Sequence, residues 1–311
     1  MLYMLIISLR VSEKNANPHY GILKNGACKE RPKIFGKRCD MPGFSFEQKI
    51  VVRGGGDLAT GVVQKFVRAG FPVAILETAA PTAIRRSVAL CEAVYEGTAQ
   101  VEGIRCRKVA GPDECAACWQ VGIVPLLVDP AGAAIAALRP AAVIDAILAK
   151  RNLGTHRGMA DITIALGPGF SAGQDVSVVI ETMRGHSLGR LIFEGSALPD
   201  TGIPGDIGGK SAQRVLLAPA AGVVKHAKRL GDVAEEGAVL FTVSGEEVRA
   251  PFTGLLRGLI HEGIEVSKGM KVADIDPRTD VDWHTISDKA RCLGGSALEA
   301  YFLLRKRDLD V

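Results

Sequence analysis

The sequence lacks a long apolar stretch, since no hydrophobic run approaches the ~20 residues that a membrane-spanning helix needs. Aromatic residues are scarce, at 5% of the chain, whereas glycine is abundant, with 36 residues. No HExxH motif, Walker loop or Ser-His-Asp arrangement is recognisable. The composition therefore predicts a compact α/β protein with many tight turns and no membrane partner, and it leaves any catalytic residue unknown.

Neither sign of charge dominates the chain after its first forty residues. The net charge is +4, but residues 1–40 hold eight basic and three acidic residues. Residues 41–311 hold 30 basic and 31 acidic residues, which argues against a nucleic-acid partner. Because residues 15–40 show no helical or strand period, we expect residues 1–45 to be a disordered extension, or translation to start at Met41.

The seven cysteines show no pattern of a disulfide framework, and their number is odd. Cys115-x-x-Cys118 follows a plausible helix start, which would lower a thiol pKa and suit a redox pair. No second CxxC or CxxH pair completes a zinc site, so we expect no metal. We interpret the two cysteines as small buried residues, and we expect the protein in the cytoplasm.

A glycine-rich turn between two apolar strands is the most informative motif. A strand beginning near Lys49 enters the turn, a helix follows from Thr60, and a second strand ends in an acid. This order matches the G-x-G-x-x-G/A fingerprint of a Rossmann-like βαβ unit that binds a dinucleotide. The residues predicted to hold the cofactor in this unit are Gly54, Gly55, Gly56, Asp57, Ala59, Thr60 and Glu77.

Each position of the fingerprint has a physical reason. Gly54 allows the tight turn, and Gly56 lets a pyrophosphate approach the backbone beside the free N–H groups of the helix. Ala59 is small enough for close packing, and Glu77 can accept hydrogen bonds from ribose hydroxyls. The alternative is a Rossmann-like unit that keeps the turn for packing and binds something else.

The predicted fold class is α/β with four regions. Strands alternate with helical patterns at first, which predicts a doubly wound parallel sheet, and after Asp161 short strands separated by Gly, Pro and Ser predict a β-rich half. The regions are an N-terminal extension (1–45), a Rossmann-like domain (46–157), a β-rich domain (158–280) and a C-terminal helix (281–311), in which Gly294-Gly295 would bend the helix or admit another backbone.

The β-rich region contains an internal repeat. Ala218-Pro219-x-x-Gly222 recurs 32 residues later as Ala250-Pro251-x-x-Gly254, and two more glycines recur at the same offset. The pattern resembles the barrel-sandwich hybrid of biotinyl and lipoyl carrier domains. Carrier domains have a lysine on the central hairpin, whereas Val243–Glu247 has none, so we expect a structural module or a docking surface.

Further polar residues follow the predicted strands. Arg85 and Arg86 can reach a nucleotide phosphate or can form a solvated helix face. Lys150, Asn152 and Thr155 follow a later strand and would gather near the glycine turn, unless this segment is a simple linker.

A second group of polar residues lies between the two predicted domains. An acid–base or anion-holding cluster is one interpretation, and a hairpin with paired charges is the other. The residues of this cluster are Glu181, Arg184, His186 and Arg190.

Several segments together resemble the YqeB-type proteins, which are associated with maturation of selenium-dependent molybdenum hydroxylases. The resemblance covers roughly Lys49 to Leu304. The segments are Arg53–Gly61, Ile84–Arg86, Asp145–Thr155, Leu166–Phe170, Glu181–Arg190, Asp276–Arg278 and Ile286–Arg291.

The resemblance implies an accessory protein that binds a nucleotide-bearing cofactor, such as a molybdopterin dinucleotide, and a molybdenum hydroxylase client. Two alternatives stay open. Glu77 favours an NAD-dependent oxidoreductase, although no catalytic pair follows the fingerprint, and the lysine-free module favours a non-enzymatic scaffold. A homo-oligomer is also open, because the sequence does not determine the oligomeric state.

Overall fold

The structure is a computed structural model that describes residues 48–202 and 205–307. The predicted extension and the suspected start at Met41 lie outside these residues. The described part belongs to one compact unit. Its helices are α1 (Asp57–Arg68), α2 (Ala93–Glu96), α3 (Cys115–Gln120), α4 (Ala134–Leu138) and α5 (Asp288–Arg307). Its strands are β1 (Ile50–Arg53), β2 (Val73–Glu77), β3 (Thr98–Val101), β4 (Ile104–Val109), β5 (Ile123–Val128), β6 (Ala142–Asp145), β7 (Ile162–Leu166), β8 (Val178–Ile180), β9 (Leu191–Ile192), β10 (Val215–Leu217), β11 (Gly222–His226), β12 (Val233–Ala234), β13 (Val239–Val243), β14 (Glu246–Arg249), β15 (Gly254–Leu259), β16 (Glu265–Val266) and β17 (Lys271–Asp276).

The first nine strands form one sheet in the order β3-β4-β5-β2-β1-β6-β7-β8-β9. The seven inner strands of this order are parallel to one another. The edge strands β3 and β9 pair antiparallel to their neighbours β4 and β8. The residues of β1, β6, β7 and β8 are all buried, as expected for parallel strands covered on both faces. The prediction of an α/β fold with a large sheet is confirmed.

The sheet extends further along the chain than predicted. Strands β7, β8 and β9 pair with β6 and with one another, so the predicted boundary at residue 157 falls between two neighbouring strands of one sheet. The short apolar strands after Asp161 indicated a separate β-rich region. The first of them, β7, instead pairs with β6, which lies before the predicted boundary. The β-rich part that stands apart from this sheet begins at β10.

The segment after β2 contains little α-helix. It forms short 3₁₀ turns and only the four-residue α2. The Leu90 amide donates to Thr60 Oγ1 at 3.0 Å, and the Cys91 amide donates to the Gly55 carbonyl at 2.8 Å. Because these amides bind the glycine turn, they are not available for a continuous helix.

Residues 215–276, called here the β module, form two four-stranded sheets with the orders β10-β17-β15-β12 and β14-β13-β11-β16. The predicted 32-residue repeat relates β11, β12 and β13 to β15, β16 and β17, and equivalent strands make equivalent pairings. A shared core that includes Phe241 and Leu256 lies between the sheets. The hairpin between β13 and β14 turns through Ser244 and Gly245, both with positive φ.

Helix α5 follows the β module and returns to the large sheet, where it packs against α1. The two helices run parallel, since Gly61 contacts Ala290 and Gly294 while Phe66 contacts Tyr301 further along. A Cβ on Gly61 would overlap the Ala290 carbonyl oxygen, and a Cβ on Gly294 would overlap the Gly61 carbonyl oxygen. Gly294 therefore admits another backbone, as its sequence position suggested.

Within residues 48–202 and 205–307, no helix combines the length and the apolar character that crossing a bilayer requires.

Candidate functional site

The three glycines after β1 have different environments. Gly54 has φ +95°, and a Cβ there would lie 2.9 Å from the Ala146 carbonyl oxygen, so only glycine fits. Gly56 precedes the first residue of α1 with φ −65°, and nothing lies within 4 Å of the position that its Cβ would occupy. The turn therefore needs Gly54 for its own shape, whereas Gly56 leaves open space at the helix N-terminus.

Glu77 and Thr60 hold this turn in place. The Glu77 carboxylate accepts one hydrogen bond from the Gly55 amide and one from the Thr78 amide, each at 2.7 Å. Burial raises the pKa of Glu77, although both of these bonds oppose the rise. Thr60 Oγ1 donates to the Gly56 carbonyl at 2.9 Å. Both side chains thus have structural partners in the turn, and Glu77 also borders the space above it.

A cavity of about 550 Å³ lies over the glycine turn and is called here the turn cavity. Its lining includes Gly54, Gly56 and Asp57 at the turn and Met270 and Lys271 of the β module. The rest of the lining comes from the loop after β2 and from residues 146–148 after β6. The cavity thus lies beyond the carboxyl ends of β1, β2 and β6, where parallel sheets bind ligands.

A second cavity of about 650 Å³ adjoins the first and is called here the arginine cavity. Asp57, Ile84 and Lys271 border both spaces. Each of its arginines has a carboxylate partner: Arg85 with Asp57 at 3.7 Å, Arg184 with Asp288 at 3.1 Å, Arg214 with Asp274 at 2.8 Å, Arg257 with Asp274 and with Asp276 at 2.9 Å, and Arg278 with Asp276 at 2.9 Å.

The buried Asp276 shows how strongly these arginines act. Burial on its own would raise the pKa of this carboxyl, but hydrogen bonds from Arg278 and the charge of Arg257 outweigh burial and hold the pKa below its usual value. Asp276 is therefore ionised at neutral pH and neutralises part of the arginine charge. The arginine cavity is thus lined by cations that already have anionic partners.

A third cavity of about 590 Å³ is called here the lysine cavity. It shares Arg184, Lys271 and Lys289 with the arginine cavity, so the three spaces form one continuous cleft. Lys150 also borders it and pairs with Asp200 at 2.5 Å. Among the described residues, the ammonium groups of Lys271 and Lys289 have no hydrogen-bond or ion-pair partner, and desolvation by the surrounding protein lowers the pKa of both.

The N-termini of α1 and α5 both open on this cleft. Asp57 and Leu58 of α1 and residues 287–289 at the start of α5 line the arginine cavity. Because the two helices run parallel, the positive ends of their dipoles lie on the same side. Together with Lys271 and Lys289, they make the centre of the cleft a place where an anion is stabilised.

Several predicted cofactor-binding residues instead stabilise the fold. Arg86 donates to the Leu259 carbonyl at 2.8 Å and pairs with Glu92. The Asn152 side chain accepts from the amides of Gly154 and Thr155, which closes its own loop. These contacts leave Arg85 and Lys150 as the residues of this group that border the cleft.

Thr155 belongs to a buried network at the carboxyl ends of β1 and β6 and lines none of the three cavities. Its hydroxyl donates to Asp145 Oδ2 at 2.5 Å and accepts from Arg53, which also donates to the Pro130 carbonyl at 2.7 Å. Burial raises the pKa of Asp145, against the hydrogen bond from Thr155 and the charge of Arg53. The three residues are almost completely shielded from solvent.

The structure does not bring the predicted interface cluster together. Glu181 is buried and accepts from the amides of Met183 and Leu198, at 2.6 and 2.8 Å. Arg184 borders the cleft, whereas His186 and Arg190 are exposed and line none of the three cavities. Residues 181–190 form a hairpin, because the Glu181 amide donates to the Arg190 carbonyl.

The CxxC pair is buried, as interpreted from the sequence. Cys115 and Cys118 are residues of α3 that pack in an apolar cluster, and burial raises the pKa of Cys115 to about 11. Arg107 donates to Cys118 Sγ at 3.1 Å. In the described part of the chain, no group of three or more His, Cys, Asp or Glu side chains is arranged to hold a metal ion.

Sequence reasoning missed the cations that the β module and α5 supply. Lys271 and Lys289 lie more than 200 residues after the glycine turn, and neither position follows a recognisable motif. The available signal was the segment Ile286–Arg291, which contains Lys289 and belongs to the YqeB-like motifs. Arg278 and Asp276 were present in another such motif.

Fold and cleft together define a mixed α/β protein with an anion-accepting cleft between a large parallel sheet and a small β module. The chain is 47% identical over 261 residues to the uncharacterized protein YqeB of Escherichia coli (strain K12). The match covers 84% of this chain and 48% of that protein, so the chain spans about half the length of this relative. This similarity supports the resemblance to YqeB-type proteins.

The other comparisons add little. No protein-family model matches the chain. A solved structure, the product-bound form of the ectoine utilization protein EutE (DoeB) from Ruegeria pomeroyi, is 11% identical and aligns with a TM-score of 0.22. The alignment covers 74% of this chain and 85% of that one, and the score is too low to support an argument about fold or function.

Proposed function

We propose that this protein binds a nucleotide-bearing cofactor with its diphosphate over the glycine turn. The observation that carries the proposal is the open space at Gly56, directly before α1, in a cavity that Lys271 also lines. A diphosphate in this space accepts hydrogen bonds from the free amides of the first turn and meets a cation on its far side.

The fold supports the same proposal. The turn cavity lies beyond the carboxyl ends of a parallel sheet, so we propose that β1, α1 and β2 form a Rossmann-like unit. The equivalent pairings of the two repeat halves lead us to propose that the β module is a barrel-sandwich hybrid. In this arrangement the module covers the nucleotide site and does not carry a swinging arm.

The biological role that we propose is maturation of molybdenum hydroxylases, with a molybdopterin dinucleotide as cofactor, a hydroxylase as client and the cytoplasm as compartment. Its support is the resemblance to YqeB-type proteins, together with a cleft that suits a dinucleotide. The proposal assigns a binding role to the chain and assigns no reaction to it.

Substitution of Gly56 tests the binding site with little risk to the fold. A Cβ at this position meets no atom within 4 Å, so Gly56→Val keeps the turn but fills the space for phosphate. We expect about a 10- to 100-fold loss of affinity, since a hydrogen bond to a charged group contributes roughly 1.5–3 kcal/mol. Calorimetric titration with molybdopterin dinucleotide, NAD, NADP and ADP measures it.

The matched control is Gly295→Ala, which adds a Cβ to open space in α5 away from the cleft. It should bind each compound like the parent protein. Equal affinity of Gly56→Val and the parent protein would contradict the proposal. Turnover of NADH with a carbonyl substrate would favour the oxidoreductase alternative, and partner-protein binding without any nucleotide affinity would favour the scaffold.

A further inference from the structure

The cations of the cleft are neutralised unevenly. In the arginine cavity every arginine has a carboxylate within 4.0 Å. In the lysine cavity Lys150 is paired with Asp200, whereas Lys271 and Lys289 have no carboxylate within 4.0 Å among the described residues. Carboxylates act on these two lysines only at longer range, and they include Asp57, which acts on both. A further anion therefore gains most beside these two lysines, because the arginines already share their charge with aspartates.

The lysine cavity also has an apolar wall. Leu198 and Leu217 both line it, and they are 53% and 51% exposed. Met183, Val215 and Pro168 continue the same wall. One exposed leucine is ordinary, but two that border a single cavity beside unpaired lysines form an apolar surface that a ligand can cover.

We propose that the lysine cavity is a second subsite of the cleft, which takes an anionic group carried by an apolar ring. Lys271 and Lys289 hold the anion, and Leu198 and Leu217 pack against the ring. An inorganic anion alone would leave both leucines exposed, and an uncharged ring would leave both lysines without a partner. The ring and the anion thus belong to one molecule.

Lys271 links this subsite to the nucleotide site. It borders the turn cavity and the lysine cavity, so one ligand can lie along both. Resting on the proposed function, the inference defines the ligand class as two-headed, with a nucleotide over the glycine turn and an anionic ring group in the lysine cavity. Arg184, which also borders the subsite, donates two hydrogen bonds to Asp288.

Pyridoxal 5′-phosphate is a suitable probe, because it is an aromatic ring that carries a phosphate and an aldehyde. An unprotonated ε-amine attacks the aldehyde carbon, water leaves, and borohydride reduces the imine to a stable secondary amine that peptide mass spectrometry locates. Below the amine pKa, each unit by which the protein lowers that pKa raises the reactive fraction about tenfold. Desolvation lowers the pKa of Lys271 and Lys289, so they should react first.

Two reference lysines are present in the same chain. Lys150 borders the same cavity but is paired, and Lys225 is exposed and lines none of the three cavities. We expect labelling of Lys271 and Lys289 to exceed that of both references, because their amines are the more readily deprotonated. Inorganic phosphate should suppress the preference, and pyridoxal without its phosphate should show less of it. Even labelling of all four lysines, or labelling that ignores phosphate, would overturn the subsite.

Variants separate the two parts of the subsite. Lys289→Gln removes a cation that has no partner, so the fold should remain intact by circular dichroism, while phosphate-dependent labelling of Lys271 falls. Leu198→Asp should reduce labelling by the phosphorylated ring, and Lys225→Gln is the control for both. If Leu198→Asp labels like the parent protein, the ring does not lie against this wall and that part of the inference is wrong.

The outcome differs from a failure of the proposed function. If ADP binds and Gly56→Val abolishes binding, but labelling is even, the nucleotide site stands and the second subsite is wrong. If no nucleotide binds but Lys271 and Lys289 label preferentially with competition by phosphate, the subsite stands and the proposed nucleotide site is wrong.

Discussion

At the scale of single residues, Thr155 shows that a hydroxyl suited to binding a ligand can instead form hydrogen bonds with buried side chains of the fold. Its hydroxyl lies between the carboxylate of Asp145 and the guanidinium of Arg53, whose charged atoms are otherwise 4.0 Å apart. A buried charge without a hydrogen bond is costly, so the small hydroxyl stabilises two larger groups. The network joins the ends of β1 and β6 below the glycine turn.

We therefore expect Thr155→Val to reduce the free energy of unfolding by about 2–3 kcal/mol, because two buried charged groups each lose a hydrogen bond. Urea denaturation followed by circular dichroism measures this change. The control is Thr98→Val, at an exposed position of β3, which should change stability little. A value for Thr155→Val equal to the control would mean that water replaces the hydroxyl.

Asp276 allows a prediction about pH at the same scale. Because its pKa is held below the usual value, the stability that it contributes is present above the unfolded pKa of about 3.9 and is lost as pH falls through the folded pKa. Arg278→Gln removes the guanidinium hydrogen bonds to Asp276, which are part of the cause of this low pKa. The difference in unfolding free energy between parent and variant, on the order of 1 kcal/mol at neutral pH, should shrink in acid.

Urea titrations between about pH 7 and about pH 3 follow this difference directly. Arg249→Gln is the matched control, since Arg249 pairs with Glu247 and both side chains are about half exposed. Its effect should be small at every pH. A constant difference for Arg278→Gln across the whole range would show that Asp276 does not titrate abnormally.

At the scale of elements, the contact of α1 with α5 depends on two glycines rather than on large side chains. Gly61 and Gly294 bring the two backbones into contact, whereas Gly295 faces open space. We therefore expect alanine substitutions at the neighbouring positions Gly294 and Gly295 to change the free energy of unfolding in opposite directions. Gly294→Ala gains helix propensity but pushes the helices apart, and Gly295→Ala gains propensity at no steric cost.

We expect Gly294→Ala to be destabilised by about 1–3 kcal/mol and Gly295→Ala to be stabilised by up to about 1 kcal/mol. Chemical denaturation of the two variants beside the parent protein gives both values. Each variant serves as the control of the other, because they differ by one position in the same helix. Destabilisation by both would mean that the helix itself, and not the crossing, resists alanine.

Sequence reasoning succeeded for elements whose information is local. The glycine turn, α1 and the repeat of the β module each depend on nearby residues, and each was found in place. The pairing of β7 with β6 and the position of Lys271 and Lys289 at the cleft were not predictable. Tertiary contacts between separate segments of the chain determine them, and no local sequence pattern reports such contacts. Thr155 and Asn152 have partners within the fold, because a polar side chain after a strand serves a buried network or a loop as readily as a ligand.

At the scale of the whole molecule, the β module is inserted between β9 and α5 and is fixed to the sheet at several points. The Leu259 amide donates to the Ile84 carbonyl at 2.7 Å, and Ser87 donates to the Trp283 carbonyl at 3.0 Å. The connection before the module comes from β9 of the large sheet, and the connection after it leads to α5, which returns to that sheet. The cleft walls are therefore held by the same contacts that join the two parts.

Because of these contacts, we expect the sheet and the β module to unfold together. The chain has two tryptophans, and they report on the two parts: Trp119 donates to the Val73 carbonyl in the sheet, and Trp283 packs on Gly231 of the module. Trp119→Phe and Trp283→Phe each leave one fluorophore. Their urea midpoints should coincide with each other and with that from circular dichroism, whereas separate midpoints would reveal independent units.

The parallel pair of α1 and α5 also has a consequence for the order of synthesis. Helix α1 leaves the ribosome early, but the helix that covers its apolar face is translated more than 200 residues later. Until then Phe66 and Phe71 lack Tyr301, and the anion-accepting end of the cleft lacks Lys289. The cleft therefore has its full set of lining cations only after α5 has been translated.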